Sequence, residues 1–198
     1  SLVQRAEGAG YEALVVTLDT LILGWRDRDL RKPYLPFVTG EGCAQFFSDP
    51  VFRSRLEQPP EDDVLAAAVA MLATFPNLGL TWDDLAWLRG LTELPVLVRE
   101  PGVSGYLREP EDVGGMADAA DAQRARGCGV DGIVVSNHGG RQVNGAVAAL
   151  DALVEVREAI GPEPVVLMDG GIRRGSDVLK ALALGANAVL LGRPYAYG

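Results

Sequence analysis

The sequence is poor in the residues that define several classes of protein. Its 198 residues include two cysteines, Cys43 and Cys128, too few for a disulfide framework and without the spacing of a metal site. No apolar run approaches the roughly 20 residues of a membrane-spanning helix. The 18 basic residues are outnumbered by 27 acidic ones, which argues against nucleic acid or an anionic membrane as a partner. We therefore expect a soluble protein of a reducing, cytoplasmic compartment.

Two further absences concern the start of the chain. It begins with Ser1 rather than Met and has no signal-peptide pattern, so we expect a piece of a longer polypeptide. The composition itself is ordinary: 48% of the residues are hydrophobic and 23% are charged, which indicates a folded core and not a disordered chain. The length suits one domain.

Short apolar stretches alternate with helix-like segments along the chain. The stretches favour buried strands at residues 12–18, 94–99, 130–135, 164–168 and 188–191. Helices are predicted at residues 61–74, 82–89, 146–160 and 177–184, with the end of another at 1–8. Such alternation predicts a parallel α/β sheet with right-handed crossovers, either open or closed into a barrel.

The most informative stretch is residues 130–144, where a buried strand runs into the polar loop SNHGGRQ. The loop contains His138, the only histidine of the chain, and Arg141 three positions later. An imidazole is a titratable base and a guanidinium can anchor a carboxylate through two hydrogen bonds, a pairing that suits a small acid substrate. Because a lone histidine is also a common structural residue, spacing alone leaves both interpretations open.

Two glycine- and arginine-containing loops follow the last two predicted strands. The first is DGGIRRGSD from Asp169, and the second is GRP from Gly192. Glycines at a strand end allow backbone amides to approach a phosphate, and a following helix N-terminus favours an anion. Paired loops of this kind after consecutive strands are the phosphate site of many (β/α)8 barrels, which favours the barrel over the open sheet.

The strings DGIVVSNHGGRQ, DGGIRRG and GRP resemble the FMN-dependent α-hydroxy acid oxidase and dehydrogenase family, and the resemblance covers nearly the whole chain. The phrases LGWRDRDL, YLPF, FSDPVFR and LTWDDLAWLR look most like the lactate 2-monooxygenase branch. The resemblance implies a TIM (β/α)8 barrel. Residues 1–198 would be the C-terminal part of the dehydrogenase domain, holding strands four to eight, with a long lid-like insertion at about 38–80.

The resemblance also implies an activity: FMN-dependent oxidation of a small L-2-hydroxy acid, lactate above all. It implies O2 as electron acceptor, no metal, and a homo-oligomer in the full-length protein. By the same resemblance His138 takes the substrate's proton and Asp19 stabilises the protonated imidazole. Arg141 pairs with the substrate carboxylate, and Arg26 assists it.

The flavin contacts are carried over in the same way. The matching positions are Thr17, Arg99, Ser136, Asp169, Gly170, Gly171, Arg173, Gly192 and Arg193. Arg99 stands where the family has a lysine beside the flavin N1 and O2 positions; the chain's own lysines are Lys32 and Lys180. Arginine retains the positive charge, but its planar fork differs in shape from an ammonium.

Two alternatives to a flavoenzyme remain at this stage. One is a non-catalytic or truncated flavin- or phosphate-binding half-barrel, which the missing lysine and the unusual stretch at 100–127 favour. The other is a phosphate-binding barrel such as a sugar-phosphate isomerase. That class shares the phosphate loops but does not require SNHGGRQ, so we rank it last.

Overall fold

A computed structural model describes residues 2–20, 24, 31–32, 35–74, 79–99, 119–142 and 146–198. The chain divides into two compact units. The first comprises Ser1–Gly24 and Gly79–Gly198, and the second comprises Trp25–Leu78. Most of the unusual stretch at 100–127 lies outside the described residues, which resume with the helix Ala119–Gly127.

The first unit is built on a parallel sheet. Its strands within the described residues are β1 (Leu14–Thr17), β2 (Val96–Arg99), β3 (Gly132–Val135), β4 (Val165–Met168) and β5 (Ala188–Val189). Each strand pairs in parallel with the next one along the chain, in the order β1-β2-β3-β4-β5. The order never reverses, as in a barrel and unlike a doubly wound sheet. The predicted strands are confirmed, with shorter bounds.

The register aligns the carboxyl ends of the strands. Thr17 at the end of β1 lies opposite Arg99 at the end of β2, and Val135 lies opposite Met168. Residues that follow these strands therefore emerge at one edge of the sheet. This is the edge at which parallel α/β proteins place their ligands.

Helices accompany the strands of this unit. They are Leu2–Gly8, Trp82–Arg89, Ala119–Gly127, Ala149–Ile160, Gly175–Ala183 and Arg193–Tyr197. Trp82–Arg89 begins where predicted because Thr81 and Asp84 form a capping box, with the Thr81 amide donating to Asp84 at 2.7 Å. The helix predicted at 146–160 begins only at Ala149, because Ala148 has an extended backbone.

The helix predicted at 177–184 begins two residues earlier, at Gly175. The Asp177 carboxylate accepts hydrogen bonds from the backbone amides of Arg173 and Arg174 at 3.0 and 2.9 Å. Asp177 therefore acts inside the first turn and not ahead of it. These two amides, that of Arg173 foremost, lower the pKa of the Asp177 carboxyl.

The main core lies between the sheet and its helices. All four residues of β3 are buried, as expected for a central strand of a helix-covered parallel sheet. Helix Ala149–Ile160 packs on it through a buried stripe at helical spacing that includes Leu153 and Val156, both 0% exposed. This packing holds the segment that follows β3 against a rigid support.

The second unit, Trp25–Leu78, has its own small core. It contains the helices Ala44–Phe47, Pro50–Arg53 and Val64–Thr74, and its buried centre is formed by Cys43, Phe52 and Met71. The helix predicted at 61–74 begins at Val64, where the Asp63 side chain accepts from the Ala66 amide at 2.9 Å. Among the described residues, no helix is both long and apolar enough to cross a membrane.

The substitution Leu153→Ala tests the core assignment. Removing a fully buried leucine side chain leaves a cavity, so we expect a loss of about 2–5 kcal/mol in the free energy of unfolding. Leu179→Ala is the matched control, because Leu179 is also helical but 70% exposed. Urea denaturation followed by circular dichroism measures both. Equal destabilisation by the two variants would contradict the assigned core.

Candidate active site

His138 and Asp19 form a close pair at the carboxyl edge of the sheet. Asp19 follows β1 and is 0% exposed, and its Oδ2 lies 3.2 Å from Nδ1 of His138. A buried carboxylate at this distance orients the imidazole ring. The residues predicted as base and partner are thus brought together across 119 positions of sequence.

The His138 backbone has an uncommon conformation. Its φ is 54°, in the left-handed region that residues other than glycine rarely adopt. His138 opens the short 3-10 turn His138–Gly140, and its amide donates to the Ser136 hydroxyl at 3.0 Å. Strained backbone of this kind is concentrated at functional sites, because the surrounding structure must hold it.

A hydrogen-bond network joins the ends of β2, β3 and β4. Arg99 donates from Nε and Nη2 to Asp169 Oδ2, at 3.0 and 2.8 Å, and from Nη2 to the Ser136 hydroxyl at 3.1 Å. Ser136 in turn donates a short hydrogen bond to Asp169 Oδ1. The buried hydroxyl therefore accepts from Arg99 and from the His138 amide while it donates to Asp169, which uses its hydrogen-bonding capacity fully.

The first of the two glycine-containing loops has the backbone expected of an anion cradle. Gly170 and Gly171 have φ values of 97° and 80°, and a Cβ on Gly170 would lie 2.6 Å from Asn137 Oδ1. That buried oxygen has no hydrogen-bond partner in the described part of the chain. Arg193 of the second loop donates from Nη2 to the Gly139 carbonyl at 2.7 Å. Both loops therefore lie against the loop that contains His138.

These loops enclose a cleft of about 330 Å³, within the roughly 300–1,000 Å³ typical of ligand sites. Its lining includes the predicted site residues Arg99, His138, Arg141, Asp169, Gly170, Gly171, Gly192 and Arg193. A second cleft, of about 340 Å³, shares Gly139, Gly170, Gly171 and Arg193 with the first and adds Arg173 and Lys180. The excess of cationic side chains suits a ligand that carries phosphate and carboxylate groups.

The remaining predicted residues lie behind or beside the clefts. Asp19 and Ser136 are buried and support His138 and Arg99. Thr17 is half-buried and ends β1, opposite Arg99. Arg26 lies outside the described residues. In the part of the chain that is described, His, Cys, Asp and Glu side chains form no group of three or more that could hold a metal ion.

Gly139 was not among the site residues predicted from the sequence. This glycine lines both clefts, and its carbonyl accepts from Arg193. Its signal was the Gly-Gly pair, which by itself indicates only a tight turn. Tyr197, which also lines the first cleft, gave no signal because a single aromatic residue near the end of a chain has no distinctive pattern.

Parallel strands whose carboxyl ends carry a histidine–aspartate pair, cationic side chains and glycine loops define a cofactor-binding barrel of the α/β class. All 198 residues match the family model described as FMN-dependent dehydrogenase, and the chain belongs to that family. The resemblance to the FMN-dependent α-hydroxy acid oxidase and dehydrogenase family is thereby confirmed, and so is the TIM-barrel fold class. The cofactor of this family is FMN.

The sequence is also similar to individual proteins whose names indicate 2-hydroxy acid enzymes. The chain is 44% identical to an FMN-dependent alpha-hydroxy acid dehydrogenase of Penicillium citrinum, 39% identical to an L-lactate oxidase of Lysinibacillus sphaericus and 43% identical to 2-hydroxyacid oxidase 1 of Mus musculus. Each match covers 100% of this chain and 46%, 47% and 48% of the relative, respectively. The chain thus spans about half the length of these relatives.

Solved structures give the same result for the fold. A mandelate oxidase structure superposes with a TM-score of 0.67 and 37% sequence identity, over 98% of this chain and 45% of that one. Another, of mandelate oxidase with (S)-2-phenylpropionate, has a TM-score of 0.67 and 38% identity, again over 98% of this chain and 44% of the other. The five-stranded sheet is therefore part of a TIM barrel.

The substitution Ser136→Ala tests the network at the strand ends. It leaves Arg99, Asp169 and the His138 amide each without one hydrogen-bond partner, so we expect a loss of about 1–3 kcal/mol in the free energy of unfolding. Ser176→Ala is the control, because Ser176 is exposed on helix Gly175–Ala183 and should change stability by less than about 0.5 kcal/mol. Denaturant titration compares the two. A Ser136→Ala variant as stable as the control would show that the network contributes nothing.

Proposed function

We propose that this chain belongs to an enzyme that oxidises a small L-2-hydroxy acid with FMN, and that lactate is the first substrate to test. The observation that carries this proposal is the grouping of His138, Asp19 and Arg141 beside the glycine and arginine loops. A base, a carboxylate anchor and a phosphate cradle are the three elements that such a reaction needs. The names of the relatives support the same substrate class.

The residues of the clefts fit FMN. Gly170, Gly171, Gly192 and Arg193 would hold the phosphate, joined by Arg173 from the second cleft. Thr17, Arg99, Ser136 and Asp169 would hold the flavin ring and the chain that connects it to the phosphate. When bound, FMN supplies the redox chemistry by accepting two electrons from the substrate.

The substrate's carboxylate would pair with Arg141, which lines the same cleft as His138. Arg26 is proposed from the sequence to assist Arg141. A guanidinium fork fixes the direction of a carboxylate through two parallel hydrogen bonds, which presents the neighbouring hydroxyl carbon in a defined orientation. His138 then accepts the proton that leaves the substrate, and Asp19 stabilises the imidazolium that results.

Several finer proposals rest only on the family resemblance seen in the sequence. They are a lactate 2-monooxygenase type of reaction with O2 as acceptor, a lid function for residues near 38–80, and a homo-oligomer in the full-length protein. Cytoplasm is the proposed location, although two relatives of Arabidopsis thaliana are named as peroxisomal oxidases. Analysis of products under air separates acetate from pyruvate and so tests the reaction type.

One observation favours a second candidate, a non-catalytic flavin- or phosphate-binding protein. The guanidinium of Arg99 donates to Asp169 and Ser136, so its positive charge is partly balanced by a carboxylate 2.8 Å away. A balanced charge stabilises a neighbouring anion less than an unbalanced one. A protein of this kind would bind FMN without supporting its reduction.

The visible absorption spectrum separates these candidates. The 198-residue chain is mixed with FMN, freed of unbound flavin, and recorded anaerobically before and after addition of L-lactate, with D-lactate as control. We expect retained flavin whose absorption is bleached by the L enantiomer alone. Retained flavin that no 2-hydroxy acid bleaches would support a flavin-binding protein. The absence of retained flavin would refute the enzyme and leave only the phosphate-binding protein.

The substitution Asp19→Asn tests the proposed mechanism. The amide preserves shape but removes the charge that stabilises protonated His138, so we expect flavin reduction to slow by roughly 10²-fold, the lower end of what general base catalysis contributes. FMN affinity should stay within a factor of about three, since Asp19 lies behind the cleft lining. Anaerobic stopped-flow measures the reduction rate and fluorescence quenching measures the affinity. An unchanged reduction rate would exclude this role for Asp19.

A further inference from the structure

The carbonyl of Gly139 connects two loops of the site. It accepts a hydrogen bond from Arg193 Nη2 at 2.7 Å, which links the loop after β3 to the loop after β5 across 54 positions of sequence. Gly139 directly follows His138 in the 3-10 turn His138–Gly140. The arginine of one glycine loop is therefore held by the peptide next to the proposed base.

The close approach of Arg193 requires a glycine. A Cβ on Gly139 would lie 2.3 Å from Arg193 Nη2 and 3.3 Å from its Cζ, so any side chain would displace the guanidinium. Gly140 differs although its backbone is similar. The φ values are 63° for Gly139 and 73° for Gly140, but a Cβ on Gly140 would have no atom within 4 Å. The backbone constraint is common to both glycines, whereas the steric one belongs to Gly139.

Arg193 also differs from Arg99 in its partners. The Arg99 guanidinium is paired with the Asp169 carboxylate, whereas Arg193 donates to an uncharged carbonyl. Within the described residues, no carboxylate lies at ion-pair distance from Arg193. A guanidinium has five N–H donors in a rigid plane, so fixing one of them fixes the direction of the others. Arg193 lines both clefts and is thus a directed cation that has no carboxylate partner among the described residues.

We infer that Gly139 is a positioning residue: its carbonyl directs Arg193 at the phosphate monoester of the ligand and couples occupancy of that phosphate site to the loop of His138. The inference deepens the proposed function and rests on it for the identity of the ligand. The coupling needs no movement of the sheet, because one hydrogen bond spans the two loops. Gly139 would thus have a role that Gly140 does not have.

The affinities of two flavins test the positioning role. FMN and riboflavin share the ring system and differ in the phosphate. In the Gly139→Ala variant we expect FMN to bind roughly tenfold more weakly, the effect of losing one hydrogen bond to a charged group, with riboflavin affinity unchanged. Gly140→Ala is the matched control for left-handed backbone, and should keep the wild-type ratio of the two affinities. Fluorescence quenching measures the affinity of each 198-residue variant for both ligands.

His138 provides a second measurement, since the chain has one histidine and therefore one imidazole Hε1 resonance. We expect inorganic phosphate to shift this resonance in the wild-type chain and in Gly140→Ala. The shift should be lost in Gly139→Ala and in Arg193→Met, which removes the guanidinium while keeping a long side chain. If alanine at position 139 prevents folding, the Arg193→Met variant still tests whether the response of His138 to phosphate requires the Arg193 guanidinium. In the Arg193→Met background, Gly139→Ala should weaken FMN binding no further.

The outcomes separate this inference from the proposed function. Two outcomes would overturn the inference and leave the flavoenzyme intact. One is an equal ratio of FMN to riboflavin affinity in Gly139→Ala and Gly140→Ala. The other is a phosphate-induced shift of the His138 resonance that is undiminished in Gly139→Ala. A phosphate shift that depends on Arg193 and Gly139 in a chain that binds no FMN would support the coupling and refute the flavoenzyme. A wild-type chain that responds to neither ligand would overturn both.

Discussion

The parallel register of the sheet is the constraint on which the candidate site depends. Backbone hydrogen bonds set Thr17 opposite Arg99 and Val135 opposite Met168, so the residues that leave the strands do so at one edge. A slip of one residue in β2 would turn Arg99 to the other face of the sheet. The buried residues of β2 and β3 pack with helix residues in the main core, so the same register also sets how that core packs. Core packing and site geometry therefore have the same cause.

The arginines of the cleft have different surroundings, and so different capacities. Asp169 and Ser136 hold Arg99, which reduces the charge that Arg99 can offer to a ligand. Arg193 donates to a neutral carbonyl and keeps its charge. The same residue type thus ties strand ends together in one position and lines the clefts as a cation in the other. Composition alone cannot separate these roles, because the difference lies in what each guanidinium contacts.

Backbone strain and glycine freedom are concentrated in the same loops. His138 has a φ of 54°, and Gly139, Gly170 and Gly171 also have positive φ values. The hydrogen bond from the His138 amide to Ser136 and the pairing of its ring with Asp19 compensate for the strain. The loops are thereby held in shapes that place their backbone groups in the lining of the clefts, and the sheet beneath them supports those shapes.

The sequence by itself determined the alternation of strands and helices, the loops that carry chemistry and the family, since hydrophobic periodicity and the SNHGGRQ and DGGIRRG strings are local properties. Helix starts were less predictable: Asp177 caps from within its helix and Ala148 stays extended, and each depends on local hydrogen bonds that composition does not reveal. Only the tertiary structure decided that Asp169 holds Arg99 and that the Gly139 carbonyl holds Arg193. These contacts join residues 70 and 54 positions apart. They form because parallel pairing brings the strand ends together, and no pattern within a single segment encodes that proximity.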